Sequence, residues 1–223
     1  MTDKSRTSPE ADLAFLRAIV EGGGNSGKAM LTMGAVYLAG GVLYGIQTLF
    51  HAGQITGLIR WSPLASLIFV IGITVAFLII MTWAILEDRK VGGAARGPLV
   101  TRTMNAAFSA SGMCNLAVII IFGAGAVREQ AFWLWLYYPA IIFALQSAAW
   151  FVAWSLKKKG WMLVVSLGGW ATAVALGLLV RNPAGYLTVC TIALFGLFAL
   201  PGWVMLRGAL RDRAILKSDM DAD

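Results

Sequence analysis

Hydrophobic residues in this chain run on with little interruption over most of its length, with neither the two-residue alternation of a strand nor the one-sided stripe of a surface helix. Six stretches contain no Asp, Glu, Lys or Arg: Ala29–Phe50, Ser62–Leu86, Thr103–Val127, Phe132–Leu156, Trp161–Val180 and Ala184–Leu206. Each is 20 to 25 residues long. As a helix, about 20 apolar residues cross a hydrocarbon core of about 30 Å. The pattern predicts an all-α fold, an integral membrane bundle of six transmembrane helices in three hairpins. The polar connections are too short to hold a soluble domain. The chain divides into an N-terminal segment, 1–28, the six-helix domain, 29–206, and a C-terminal tail, 207–223.

The N-terminal segment breaks the pattern. Ser8 suits an N-cap and Pro9 a first helical position, and Leu13, Phe15, Leu16, Ile19 and Val20 recur at helical spacing. That predicts a short amphipathic helix lying in the membrane interface, ended by Gly22, Gly23 and Gly24. With no apolar core ahead of Ala29, the segment does not read as a signal peptide, and the first span is its own insertion signal. Glu21 to Ala29 reads E-G-G-G-N-S-G-K-A, one hydroxyl short of a phosphate-binding loop. A working loop needs a strand before the glycines and a Ser or Thr after the Lys to hold Mg²⁺. A helix precedes these glycines and Ala29 follows Lys28, so no nucleotide is expected. The stretch reads as a corner between the membrane plane and its normal.

Composition agrees: 59% of the 223 residues are hydrophobic, 13% are charged, and the mean hydropathy is +0.75. A net charge of +7 would suggest nucleic acid in a soluble protein. Here all 18 basic residues lie outside the spans, fifteen of them in the N-terminal segment, the second and fourth connections and the tail. The alternate connections carry only Arg60, Arg128 and Arg181. The charge is therefore a topology signal, which places both termini in the cytoplasm and the protein in the cytoplasmic (inner) membrane, with no role for nucleic acid. Cys114 and Cys190 fall inside spans and read as small apolar packers.

Depth explains most aromatic residues. Trp61, Trp133, Trp135, Tyr137 and Tyr138 mark the outer interface, and Trp83, Trp154, Trp161 and Trp203 the inner one. Trp170 falls at the middle of the fifth span, where its indole N–H needs an acceptor. Each outward-to-inward span has a proline at or near its start, Pro63, Pro139 and Pro183, which proline tolerates because its missing N–H is not needed there. The last hairpin, GLLVRNPAGYLTVCTIALFGLFALPGW, resembles those of the HdeD-type acid-resistance membrane proteins in its Asn-Pro turn between apolar helices. The resemblance covers the last two spans and implies no residue role.

Chemistry is sparse. No charged residue lies at membrane depth, where ion-coupled transporters and voltage sensors carry one. The single histidine, His51, sits at the outer end of the first span without companions for a metal or haem site. Glu87-Asp88-Arg89-Lys90 reads as a solvated helix end. No catalytic residue, metal or cofactor is expected, and the chain is not expected to be an enzyme.

What remains is uncharged. Asn105, Ser109, Gly112 and Asn115 share one face of the third span. Asn115 is at its middle, Gln146 is near the middle of the fourth, and four residues, Arg128 to Ala131, join the two spans. These amides are expected at matching depth in a mid-membrane polar layer, with Ser147 and Trp170 beside them. Gly41 and Gly45 form a GxxxG pair that suits close packing within the chain, with a homo-oligomer as the lesser reading. The functional expectation is a non-enzymatic accessory or assembly component, whose partners are the bilayer and other membrane-protein subunits. The alternative is a small channel or facilitator for a neutral or amphipathic solute.

Overall fold

The computed structural model describes residues 26–90 and 99–220. The expected amphipathic helix, the glycines of the corner and residues 91–98 lie outside them. Among the described residues all regular structure is helical: α1 (Ser26–Ile55), α2 (Pro63–Lys90), α3 (Leu99–Arg128), α4 (Phe132–Trp135), α5 (Tyr137–Lys157), α6 (Gly160–Leu179), α7 (Pro183–Ala193) and α8 (Leu200–Met220), with a π-helical segment, Leu194–Ala199, between the last two. Six helical runs are long and apolar enough to cross a membrane. Most extend beyond the uncharged stretches, because nothing there breaks a helix and solvated basic ends continue it.

Two prolines explain where the helices depart from regularity. Pro139 has no N–H for the Trp135 carbonyl, and the fourth span divides at Leu136, between α4 and α5. Pro201 likewise cannot bond back into the preceding turn, and the wider π turn ahead of it relieves the clash of its ring with the carbonyl four residues earlier. Pro63 and Pro183 open helices, where no N–H is needed, and Asn182 caps α7 by accepting from Gly185 N at 3.1 Å.

α1 is the central helix. It packs along α7, the π segment and α8 on one side and carries α2 on the other; α5 pairs with α6, α6 meets α7, and α3 lies on α5. The α1 crossing is close because glycines make it so. A Cβ on Gly41 would lie 2.2 Å from Ala199 N, and one on Gly202 would lie 2.3 Å from Leu38 N. Gly45 faces the Phe195 ring. Both glycines of the GxxxG pair are thus occupied by the chain's own π segment.

Two apolar clusters result. One joins α5, α6, α7 and the π segment around Phe143, Leu176 and Tyr186. The other joins α1, α3, α5, α6 and α8 around Tyr37, Trp150 and Met162. α2 contributes to neither core and buries only Ala84, while α3 buries only Met104 and Ser111.

Candidate functional site

The polar residues at mid-depth are positioned by the α3–α5 seam and by Tyr37 of α1. Along α3, Met104, Phe108, Ser111, Asn115, Val118 and Phe122 follow alternating steps of four and three and are at least partly covered. This is the spacing that keeps one seam against a neighbouring helix. Phe108 meets Trp150 edge to face, with centroids 5.2 Å apart, and Gly123 approaches the Trp135 ring further out.

The two amides expected in one layer are not hydrogen-bonded to each other: Gln146 accepts from Tyr37, and Asn115 Oδ1 has no partner. They also have different surroundings. The Tyr37 hydroxyl donates to Gln146 Oε1 at 2.5 Å, which ties α1 to α5. Tyr37 is itself held among Phe108, Trp150 and Phe198, with centroids at 5.8, 5.4 and 5.2 Å. Asn115 Oδ1 is buried without a hydrogen-bond partner, as is Ser111 Oγ one turn away on the same seam.

Ser147 belongs to a different contact. Its hydroxyl donates to Phe143 O at 2.6 Å, and its carbonyl accepts from the buried Ser166 hydroxyl at 2.8 Å, joining α5 to α6. Gly169 leaves room for it, since a Cβ there would lie 2.0 Å from Ser147 Oγ. Trp170 is not in the layer. It turns outward, 36% exposed, against Phe151 with centroids 5.6 Å apart. Ser109 is exposed on the outer face of α3, and Asn105 is half-covered near its basic end. One shared helix face is too wide a criterion, because a seam against one neighbour covers less of a helix than a whole face.

Tyr37, Ser111 and Ser166 are among the buried polar residues that the sequence reading did not select. Ser111 and Asn115 share the four-and-three seam, a pattern present in the sequence. Tyr37 carried only a weak signal, one hydroxyl among four in an apolar span. Further polar contacts gather at the end away from the lysines: Thr191 donates to Thr48 at 2.8 Å, Gln54 donates to Ser66 at 2.7 Å, and His51 Nδ1 lies 3.1 Å from Gln54 Oε1. Among the described residues no three His, Cys, Asp or Glu side chains gather as metal ligands would, and Cys114 and Cys190 are free. The seam can exchange hydrogen bonds; it holds no group that titrates near neutrality. No protein-family model, curated protein or solved structure matches this chain.

Proposed function

We propose that this is a multi-pass protein of the cytoplasmic membrane, with both termini in the cytoplasm, that acts as a non-enzymatic accessory or assembly component of a larger membrane system. The supporting observation is the uneven burial of its helices. In α2 and in α3 only 6% of the most apolar window is buried, against 28% to 33% in the other four spans. α2 packs mainly on α1 and α3 mainly on α5, so each keeps a broad free flank. Helices held so lightly are the natural places for a neighbouring subunit to add packing, which is what drives association once lipid already solvates apolar faces.

Photo-reactive residues at Ile68 and Ile120 test this. Cross-links to one defined foreign subunit from these positions, and none from Val174 on α6, are expected in intact membranes. Equal, diffuse labelling from all three would defeat the reading. The facilitator alternative draws on one observation, the unpartnered Ser111 and Asn115 atoms in the seam. Solute flux through liposomes containing this chain alone would favour it.

A further inference from the structure

The turn from α5 to α6 reads Lys157-Lys158-Lys159-Gly160. α5 closes on Lys158 in the left-handed region, φ 53°, ψ 23°, with its N–H bonded to Trp154 O at 2.7 Å. Glycine ordinarily takes that position, because an L side chain strains it. Here the chain puts a lysine there and its glycine two residues later. The turn therefore leaves three consecutive lysines at the junction of the two helices.

Among the described residues no carboxylate neutralises the charges in this turn. Lys157 is half-buried, and its Nζ lies 3.9 Å from Met30 Sδ, a thioether that offsets no charge. Lys158 Nζ sits over the Trp154 ring, 5.1 Å from its centroid. The ion pairs found among the described residues are Lys90 with Glu87 and Arg128 with Glu129, so none involves these three lysines. Three adjacent ammonium groups repel one another unless an anion joins them. α6 begins immediately beyond, with no side chain capping its first turn, so its free N–H groups add to the positive end. Trp154 and Trp161 pack into the core beneath the turn, which fixes the boundary between its apolar and charged sides.

We propose that the Lys157–Gly160 turn binds the phosphate of an anionic phospholipid headgroup. A lipid supplies both halves of what the turn presents, a phosphate for the ammonium groups and acyl chains for the apolar flank below Trp154 and Trp161. The proposal rests on the chain being membrane-embedded and not on its accessory role. Its failure would leave the cross-linking test from α2 and α3 untouched.

The test is retention of phosphatidylglycerol by the full chain, extracted from nanodiscs of phosphatidylcholine doped with phosphatidylglycerol and read by native mass spectrometry. Lys158→Gly is the decisive variant, because it relieves the left-handed strain while removing one ammonium. It is expected to keep or raise thermal stability and to lower retention about five-fold. Lys157→Gln with Lys158→Gln and Lys159→Gln should lower it on the order of a hundredfold. The control K90Q/R207Q/R211Q, equal in lost charge, should retain the lipid. Unchanged retention in Lys158→Gly, or equal loss in the control, would overturn the site. Displacement of the lipid by millimolar inorganic phosphate would overturn a lipid as the occupant.

Discussion

The Tyr37 hydroxyl and the Gln146 side-chain carbonyl meet at 2.5 Å across α1 and α5, two helices whose backbones otherwise make little contact. The bond lies inside an aromatic cage of Phe108, Trp150 and Phe198. It gives Gln146 a donor from α1 and leaves Asn115 on α3 without one. The Tyr37–Gln146 pair is thus satisfied, while the buried Ser111 and Asn115 oxygens of the seam are not, nor are Gln47 Oε1 and Trp150 Nε1.

That pairing predicts coupling. Tyr37→Phe and Gln146→Leu should each destabilise, and the double variant should cost less than their sum by about 1 kcal/mol, within the range for hydrogen bonds between membrane helices. Equilibrium unfolding in mixed micelles checks this. Strict additivity would mean that the two side chains do not depend on each other.

The glycine crossing predicts a sharp contrast between positions. Gly41→Ala would put a methyl group into the Ala199 backbone and should cost about 3 kcal/mol or prevent folding. Gly72→Ala on α2, where a Cβ meets open space, should be neutral or stabilising by up to about 1 kcal/mol through helix propensity. Thermal melts of both proteins decide it. Similar losses at the two sites would show that α1 does not pass this close to the π segment.

Six helical spans were legible because charge exclusion over twenty residues is a coarse signal that packing details cannot erase. The close approach at Gly41 was legible for a related reason, since only a residue without a side chain allows it. The polar layer was less so. Depth along one helix can be counted, but rotation about its axis depends on which neighbour it meets. Gln146 found Tyr37 on a helix more than a hundred residues earlier in sequence. Trp170, alone at mid-span, turned out toward Phe151, a rotation that its depth in the sequence does not specify. The π segment is an intermediate case: Pro201 announces a disturbance but does not say whether it becomes a kink or a wide turn.

The proposed orientation predicts chemical accessibility. On a background lacking Cys114 and Cys190, a single cysteine at Lys159 should resist an impermeant thiol reagent in intact cells and react after permeabilisation. One at Arg181, at the opposite end of α6, should react without it. The reverse order would invert the topology and move the lysine turn to the outer leaflet.

Ser111 and Asn115 give the last prediction, and the one that separates structure from site. Their side-chain oxygens are buried without partners, so each carries a desolvation penalty that the folded chain does not recover. Removing such a group differs from breaking a bond. Ser111→Ala should therefore raise stability by about 1 kcal/mol, and Asn115→Leu should be neutral or stabilising, since leucine fills a similar volume in an apolar seam. Tyr37→Phe, which strands a partner, provides the opposite sign in the same assay. If both seam variants are more stable yet fail in cross-linking to a subunit or in solute flux, the unsatisfied oxygens serve a ligand or a partner. Marked destabilisation of either would show that its oxygen is already satisfied in the native membrane, by water or by lipid, and would remove the seam as a candidate site.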